Sequence, residues 1–442
     1  MFRAIGNSMM ANDSPRNPGA RTALGLLLGI NLFNYIDRWV LAAVEPNIRA
    51  AFFLPGDPNA MTMTGLLAPA FLITYMCAAP VLGFLADRFS RWLVVGTCVI
   101  LWSFATAASA LAGTFLLLFL TRILVGIGEG GYGPAAPTIL ADYFPLQMRG
   151  RIMAIFCAAI PVGSALGFVI GGLVAGLPPE KWFGGNADLG WRWALGLVAI
   201  PGIILGLICF FKKDPRPRKT ANMERRRARK EDYLALIHNR SFAINCFAQT
   251  AMTFALGGLA YWMSAYLLYR GQSAAVGRSL FGIITAVAGL LSTLAGGFLA
   301  DRLQKRFSGS YFLVSGWGML LAFPFSIAML YTPFPLAWVF VFGAVFFVFL
   351  NTGPSNAALA NVVSSKVRAT AFAVNIFVIH ALGDALSPPL LGAVAGHSNM
   401  NIAFLVISGA MLVSGIIWLS GMKYLAADTA AVEIAAATRL ES

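Results

Sequence analysis

The sequence predicts an all-α membrane protein in which twelve transmembrane helices form two six-helix repeats. Three observations carry this prediction: the composition, the spacing of the apolar segments and a repeated motif. The 442 residues are 58% hydrophobic and only 11% charged, whereas roughly a quarter of the residues in soluble domains are charged. Because so few charges could not cover the surface of a water-soluble protein of this length, the composition excludes a soluble globular enzyme.

Apolar segments of about 20 residues recur along the chain, which is the length that a helix needs to cross a hydrocarbon core of about 30 Å. We number them segments 1 to 12, at 22–44, 65–86, 92–111, 114–141, 151–176, 191–211, 241–269, 277–300, 311–331, 335–360, 368–396 and 400–422. Gly and Pro interrupt several of them, which membrane helices tolerate where neighbouring helices satisfy the freed backbone groups. The segments lack the short alternating strands of a transmembrane barrel.

The predicted organisation is a cytoplasmic tail, a six-helix bundle, a basic cytoplasmic linker, a second bundle and a tail, at 1–21, 22–211, 212–240, 241–426 and 427–442. The first tail lacks the apolar core of a signal peptide, so segment 1 is expected to be retained. The linker predicts an amphipathic basic helix that lies on anionic head groups. A binding site for a regulatory partner is the alternative for this linker.

The positive charges are distributed unevenly between the two sides of the predicted membrane. The formal net charge is +14, from 32 Lys and Arg against 18 Asp and Glu. With both termini on one side, and with charges at segment ends counted with the adjoining loops, 25 of the cations fall on that side, five on the other and two in the interior of segments. This is the positive-inside pattern, which predicts cytoplasmic termini. The basic excess therefore requires no nucleic-acid partner.

The two halves of the chain share an ordered set of matching residues. Gly83-Phe-Leu-Ala-Asp87-Arg88 follows segment 2, and the same six residue types, Gly297 to Arg302, follow segment 8 at an offset of 214. Gly133-Pro134 and Gly353-Pro354 match at an offset of 220. The matches indicate a duplicated six-helix unit, whose halves relate by an axis along the membrane normal. Such halves place a substrate site between them, near the bilayer midplane.

The repeated loops predict a cytoplasmic gate. A glycine allows two helices to approach closely at a tight turn, and the following Asp and Arg can pair with a neighbouring helix end and hold one conformation shut. Ordinary loop charge is the alternative, but a sixfold identity in register is improbable by chance. The predicted gate residues are Gly83, Asp87, Arg88, Arg91, Arg149, Arg151, Asp301 and Arg302.

These motifs resemble those of the major facilitator superfamily, across essentially the whole chain. Gly83 to Arg91 resembles the loop signature of that family, and Arg122-x3-Gly126-x-Gly128-Glu129 resembles its fourth-helix signature. Within the superfamily the chain is most similar to the spinster group, in Asn34-Tyr-Ile-Asp37-Arg38, in Gly126-Ile-Gly-Glu129-Gly and in the run from His380 to Pro389. The resemblance implies the fold of that superfamily, a transporter and not an enzyme, and a cavity lined by segments 1, 4, 7 and 10. It also implies a lysophospholipid or a sphingosine-1-phosphate-like lipid as the substrate.

Ionisable groups within membrane segments are costly and are functional candidates by default. Arg122 and Glu129 are two helical turns apart on one face, and His380 and Asp384 are one turn apart and able to touch. We predict proton coupling by Asp37, Glu129 and His380. The residues predicted to bind a substrate head group or to form ion pairs are Arg38, Arg122, Asn34 and Tyr35.

The predicted mechanism is that protonation of Asp37 or Glu129 frees an arginine for an anionic head group. The alternative is a static ion-pair network that holds segments 1 and 4 together. His380 suits a proton switch, since an unperturbed His has a pKa near 6.5; a hydrogen bond between helices that Asp384 holds is the alternative. Asp384 with Pro388 and Pro389 predicts a bent or unwound hinge, because proline removes a backbone donor.

The remaining predictions concern the cavity wall and the ligands. The aromatic residues predicted to line the cavity are Tyr75, Tyr132, Phe254, Tyr261 and Trp262. Gly126-x-Gly128-x-x-Gly131 fits a dinucleotide pattern, but it lies in an apolar helix instead of between a strand and a helix, so we reject that site. The five cysteines show neither metal-ligand spacing nor a disulfide framework. We expect no cofactor and no metal, with the proton as the coupling ion.

Three functions remain open from the sequence. The first is a proton-linked transporter of an amphiphilic lipid that works by alternating access, and the second is the same machinery with a small organic anion or drug as its cargo. The third is a lipid scramblase or membrane receptor without coupled transport. We expect a monomer in contact with membrane lipids, in a bacterial inner membrane.

Overall fold

The computed structural model describes residues 19–144, 152–153, 155–182, 184–186, 188–215, 238–363 and 367–438. Over these residues the chain forms helices joined by short turns, without a β-strand. Eleven helices are long and apolar enough to cross a membrane. Many of their large apolar side chains are exposed on the outside of the bundle, as lipid-facing side chains are. The protein is therefore an integral, multi-pass membrane protein.

Segments 1 to 6 form the first unit. Segment 1 is a helix of 33 residues that carries several charged and polar side chains, and it is not among the eleven apolar helices. Segments 2 and 4 are each built of two helices in succession. In chain order the helices are Ala20–Phe52, Ala60–Gly65 with Leu67–Arg88, Arg91–Ala110, Phe115–Gly130 with Tyr132–Tyr143, Ala159–Ala175 and Leu189–Cys209, with a short turn of helix at Pro179–Trp182.

Segments 7 to 12 form the second unit. Segment 10 is also built of two helices, and segment 11 changes from α-helix to a π-helical turn and back. The helices are Arg240–Tyr269, Ala274–Gln304, Ser310–Tyr331, Ala337–Phe349 with Thr352–Asn361, Arg368–Ile379 with the π turn His380–Asp384 and then Ser387–His397, and Met400–Thr438.

Small residues allow the helices within a unit to approach closely. A Cβ at Gly167 of segment 5 would lie 2.8 Å from the carbonyl oxygen of Ile36 on segment 1. A Cβ at Gly128 of segment 4 would lie 2.7 Å from the backbone nitrogen of Trp102 on segment 3. The glycines of the apparent dinucleotide pattern thus serve helix packing, as glycines in membrane helices often do.

The repeated motifs occupy equivalent places in the two units. A Cβ at Gly83 would lie 3.5 Å from the side chain of Pro134, so segment 2 approaches segment 4 there. A Cβ at Gly353 would lie 3.4 Å from the Cα of Gly297, where segment 8 approaches segment 10. The matched sequence positions therefore make the matched helix contact in each unit.

The two units are in contact at one end of the bundle. We call this the closed end; it carries the loop at 53–59 and the turn at 271–273. Segment 5 packs along segment 8, and the start of segment 2 packs against the end of segment 11. A Cβ at Gly65 would lie 2.7 Å from the carbonyl oxygen of Pro388 in the other unit. Among the described residues, both hydrogen bonds recorded between the units, Tyr261 to Thr64 and Arg278 to Asn47, lie in this half.

The opposite end, which we call the open end, carries the loops between segments 2 and 3 and between segments 8 and 9. Within the described ranges no ion pair or hydrogen bond is recorded between the units there. Arg91 is buried and lies 2.6 Å from Asp142 of the first unit and 2.8 Å from Asp214 at the start of the linker. The arrangement is thus closed at one end, whereas at the other end the described residues of the two units make no polar contact with each other.

Candidate functional site

A cavity of about 450 Å³ lies between the two units, and both units line it. The first unit contributes most of its charge through Arg38, Arg122 and Glu129, and the second contributes His380 and Asp384. Apolar and aromatic side chains form the rest of the wall. Those residues include Trp39, Leu67, Ala68, Phe71, Leu72, Val125 and Ile376. The wall is therefore polar on a limited patch and apolar elsewhere.

Arg38 and Glu129 form an ion pair in this wall. Nε and Nη2 of Arg38 both lie 2.7 Å from Oε2 of Glu129. The glutamate side chain is fully buried, whereas 23% of the arginine side chain remains accessible. Because segment 1 carries the arginine and segment 4 the glutamate, the pair joins the two segments. The guanidinium remains accessible from the cavity.

Three aromatic rings surround the guanidinium of Arg38. Its Cζ atom lies 5.3 Å from the ring centre of Tyr35, 4.8 Å from that of Phe71 and 5.1 Å from that of Tyr75. Such cation–π contacts favour a charged arginine in a place with little water. They also fix the guanidinium in position at the cavity wall.

Asp37 and Arg122 are a second buried acid and base beside the Arg38–Glu129 pair; Arg122 lines the larger cavity and Asp37 lines neither cavity. Thr106 donates a hydrogen bond of 2.6 Å to Oδ2 of Asp37, while Oδ1 is buried without a hydrogen-bond partner. Arg122 donates from Nη2 to the hydroxyl of Ser109 at 2.6 Å, and its Nε has no partner. Asp37 and Arg122 interact electrostatically but lie farther apart than the 4.0 Å of a direct ion pair. A buried acid and a buried base are thus held apart by hydroxyl groups.

A second, smaller cavity of about 130 Å³ lies on the other side of the ion pair. Asn31, Asn34 and Tyr132 line it together with Arg38 and Glu129. Asn34, Tyr35 and Arg38 of segment 1, which the sequence predicts to bind a head group or to form ion pairs, therefore all face this space. A buried nitrogen of Asn34 and Oε1 of Glu129 have no hydrogen-bond partner.

His380 and Asp384 form the polar part of the wall in the second unit. Nδ1 of His380 lies 2.9 Å from Oδ2 of Asp384, within the π-helical turn. Thr253 of segment 7 donates a hydrogen bond of 2.9 Å to the carbonyl oxygen of Ile379, at the start of that turn. The predicted irregularity of segment 11 is thus a widened turn, and Pro388 and Pro389 stand at the start of the helix that follows it. Proline is tolerated there because its missing N–H has no partner in a first helical turn.

The predicted cavity aromatics separate into two groups. Tyr75 and Tyr261 line the larger cavity, and Tyr132 lines the smaller one. Trp262 lines neither; it is fully buried and donates from Nε1 to the carbonyl oxygen of Pro388 at 2.9 Å. Phe254 also lines neither and packs against the core of the second unit.

The predicted gate residues are only partly described. Arg149, Arg151 and the linker helix lie outside the described residues, as does the side chain of Asp87. Arg88 is exposed and lies 4.2 Å above the ring of Phe84. Asp301 accepts a hydrogen bond of 3.2 Å from Tyr311, and Arg302 is exposed. The described gate residues are not brought together in this arrangement.

Some residues around the site were not predicted from the sequence. Thr106 and Ser109 hold Asp37 and Arg122, but single hydroxyl residues in membrane helices carry no distinguishing pattern. Glu45 and Arg278 are each 1% exposed. They lie close to segment ends, where a charge is usually solvated, so the sequence gives no indication that they are buried. Across the described ranges no cluster of three or more His, Cys, Asp or Glu side chains could hold a metal ion.

Comparison with known proteins identifies the family. A profile of the Major Facilitator Superfamily matches residues 27–388. The sphingosine-1-phosphate transporter SPNS2 of Xenopus tropicalis is 32% identical over 432 residues, which cover 91% of this chain and 80% of that protein. The chain belongs to the spinster group of the major facilitator superfamily. It is thus a member of a transporter family and not of an enzyme class.

Two further relatives support this assignment. Protein spinster of Drosophila melanogaster is 34% identical over 385 residues, which cover 84% of this chain and 61% of that protein. The chain therefore spans less than two thirds of the fly spinster. A crystal structure of a bacterial homologue of the human lysosomal transporter Spinster, inward-facing and unoccupied, aligns with a TM-score of 0.77 at 24% identity. It covers 94% of this chain and 98% of the homologue, and it shows that the spinster fold is shared.

Proposed function

We propose that this spinster-group protein is a proton-coupled secondary transporter that carries an amphiphilic lipid by alternating access. The cargo would be a lysophospholipid or a lipid like sphingosine 1-phosphate. One observation carries the proposal: the Arg38–Glu129 pair lies in the wall of a largely apolar cavity between two units that are in contact at the closed end.

The shape of the site suits an amphiphile with an anionic or zwitterionic head. Arg38 and Arg122 would bind the head, because guanidinium groups match the geometry of phosphate oxygens. The apolar wall around Leu67, Leu72 and Ile376 would contact the start of the acyl or sphingoid chain. The cavity volume of about 450 Å³ lies in the range of about 300–1,000 Å³ that is usual for small-molecule sites. The relative from Xenopus tropicalis, whose name states sphingosine 1-phosphate as its cargo, supports this class.

The proposed coupling step is a competition for Arg38. When Glu129 is ionised it occupies the guanidinium at 2.7 Å. When Glu129 takes up a proton the ion pair loses its charge, and Arg38 becomes free for an anionic head group. Asp37 would act on Arg122 through its charge alone, since the two interact electrostatically without a direct ion pair. His380 with Asp384 would be a second protonation site, on the opposite wall of the cavity.

We also propose twelve membrane spans with both termini in the cytoplasm of a bacterium, and a monomer as the working unit. Segment 1 is counted as a span because its 33 residues reach about 50 Å at 1.5 Å per residue. The open end then faces the cytoplasm, since the loops of that end carry most of the cations. In this orientation the structure is inward-facing.

The coupling proposal is tested by lipid flux into proteoliposomes with an imposed pH gradient. We expect Glu129→Gln to abolish the response to the gradient, and Asp37→Asn to reduce it. Glu180→Gln is the matched control, because Glu180 is exposed at the closed end, away from the cavity. Undiminished proton dependence in both cavity variants would show that the ion pairs are static. Equal flux with and without a gradient in the unaltered protein would favour a scramblase.

The cargo is tested by a thermal-shift screen in detergent that compares lysophospholipids, sphingoid phosphates and small organic anions. We expect the lipids to raise the melting temperature of the unaltered protein, and Arg38→Gln to abolish that rise. Stabilisation by small anions alone would assign the protein to the second hypothesis, the transport of small organic anions.

A further inference from the structure

A buried polar cluster joins the two units at the closed end. We call Glu45, Asn47, Thr64, Tyr261 and Arg278 the closed-end cluster. Glu45, Asn47 and Thr64 belong to the first unit, and Tyr261 and Arg278 belong to the second. Glu45 and Arg278 are each 1% exposed. Two opposite charges have therefore been buried at the surface where the units meet.

Glu45 is held by residues of its own unit. Thr64 donates a hydrogen bond of 2.7 Å to Oε1 of Glu45, and Nε of Arg49 lies 3.5 Å from the same oxygen. Oε2 of Glu45 is buried without a hydrogen-bond partner. One half of the carboxylate is thus satisfied, and the other half is not.

Arg278 reaches the first unit from segment 8. It donates from Nη2 to Oδ1 of Asn47 at 3.0 Å, while its Nε and Nη1 are buried without partners. It interacts electrostatically with Glu45, beyond the 4.0 Å of a direct ion pair. Its Cβ packs against Gly172 of segment 5, where an added Cβ would lie 2.9 Å away. The arginine is therefore inserted between the units, with only part of its hydrogen-bonding capacity used.

Tyr261 connects this cluster with the cavity. Its ring lines the cavity, and its hydroxyl donates to the backbone carbonyl of Thr64. The side chain of that same threonine donates to Glu45. A continuous path of contacts thus leads from the wall of the cavity, through Tyr261 and Thr64, to Glu45.

We infer that Glu45 and Arg278 set the balance between the closed and the separated arrangement of this end, and that Tyr261 and Thr64 transmit the state of the cavity to them. Both charges are buried only while the units touch, and each regains water when the units separate. A buried charge that loses its opposite charge is strongly unfavourable, so the closed arrangement depends on the presence of both. Glu45 and Arg278 are positioning residues, since neither lines the cavity. The inference rests on the alternating access proposed above, but on neither the cargo nor the coupling ion.

Pulsed electron–electron double resonance on the full-length protein in lipid nanodiscs tests this inference. Spin labels are attached to Ala51→Cys in the first unit and to Val276→Cys in the second, because both positions are exposed at the closed end. The exposed Cys77 and Cys157 are replaced by serine. The distance distribution between the labels then reports the closed and separated populations without any transport measurement.

We expect Glu45→Gln to raise the ratio of separated to closed molecules by about tenfold or more, because it leaves Arg278 buried without its counter-charge. Adding Arg278→Gln removes the remaining charge, so the double variant is expected to return towards the unaltered protein. This non-additivity is the signature of a coupled pair. The control is Asp188→Asn, which removes an ion pair to Arg192 within the first unit at the same end and should leave the distribution unchanged.

A conservative variant keeps the test decisive if Glu45→Gln does not fold. Tyr261→Phe retains the ring and removes only the donor to Thr64, and we expect a smaller shift in the same direction. Gly65→Ala gives the positive control for separation, since its Cβ would lie 2.7 Å from the carbonyl oxygen of Pro388. If Gly65→Ala lengthens the distance and neither Glu45→Gln nor Tyr261→Phe does, the inference is wrong. Additive effects of the two charge removals would equally overturn it. Because no flux is measured, failure here is distinguishable from failure of the proposed transport function.

Discussion

Substituting Glu129 by glutamine tests directly whether an anionic head group competes with that carboxylate. In the unaltered protein a ligand must displace the carboxylate from Arg38, whose Nε and Nη2 both lie 2.7 Å from Oε2. A hydrogen bond to a charged group contributes about 1.5–3 kcal/mol net, and about 1.4 kcal/mol corresponds to tenfold in affinity, so full release of Arg38 would tighten binding by about ten- to a hundredfold. Glutamine keeps the shape and one acceptor oxygen, and the lower limit, about tenfold, is therefore expected.

The assay is calorimetric titration of a lysophospholipid or sphingoid phosphate into detergent-solubilised protein between pH 5.5 and 8. The dissociation constant of the unaltered protein should fall as the pH falls, because protonation of Glu129 releases Arg38. Glu129→Gln should bind tightly at every pH, and the control Glu180→Gln should follow the unaltered protein. Unchanged or weaker binding by a folded Glu129→Gln variant at pH 8 would refute the competition.

Three further predictions follow from individual contacts. Asp384→Asn removes the carboxylate that lies 2.9 Å from the imidazole of segment 11. If that pair takes part in coupling, the response of flux to an imposed pH gradient should weaken, whereas a purely structural role would change only the melting temperature. Gly167→Ala places a Cβ 2.8 Å from a backbone oxygen of segment 1 and should destabilise the protein by about 1–3 kcal/mol, which a lower melting temperature would show. The control is Gly25→Ala, which has no atom within 4 Å of its Cβ and should leave the melting temperature unchanged. Arg91→Gln removes the cation that Asp142 and Asp214 share at the open end, and it should lower the free energy of unfolding by about 2 kcal/mol. The loss is smaller than for a fully buried pair because the aspartates are partly exposed. Arg88→Gln, at an exposed position, should change stability little, and equal melting temperatures of the two variants would contradict this difference.

The helical architecture was largely predictable because hydrophobic length determines it. Each of the predicted segments overlaps a helix of the structure, since a run of apolar residues in lipid must satisfy its backbone hydrogen bonds internally. The ends were less predictable. Segment 1 was expected at 22–44, whereas its helix continues to Phe52. The extension carries Glu45 and Arg49. Hydropathy alone assigns such charged residues to a loop, although packed neighbours bury Glu45.

The charged core of the site was predictable because few ionisable residues lie within the segments, but their pairing was not. The sequence places Arg122 and Glu129 on one face of segment 4, and yet Glu129 pairs directly with Arg38 of segment 1. Contacts between helices depend on relative rotation and depth, which a one-dimensional pattern does not contain. The same reason explains Trp262, which an aromatic pattern assigns to the cavity and which packs beneath it with its Nε1 bonded to Pro388.

The π-helical turn of segment 11 has a geometric consequence for everything that follows it. Residues 376, 380, 384 and 388 all line the cavity. At the closed end Gly392 continues the series against Met61 of segment 2, and Gly396 against Pro58 of the loop at 53–59. In an ideal α-helix each step of four residues rotates by about 40° beyond a full turn, so a stripe with a period of four winds gradually around the axis. A π-helical turn contains roughly one residue more than an α-helical turn, so each residue rotates by a smaller angle, and part of the winding of the stripe is reversed. One extra residue thus keeps His380 and Asp384 on the same face of segment 11 as the glycines that contact the first unit at the closed end. A rotation of segment 11 about its axis would therefore move the polar side chains of the cavity and this contact together.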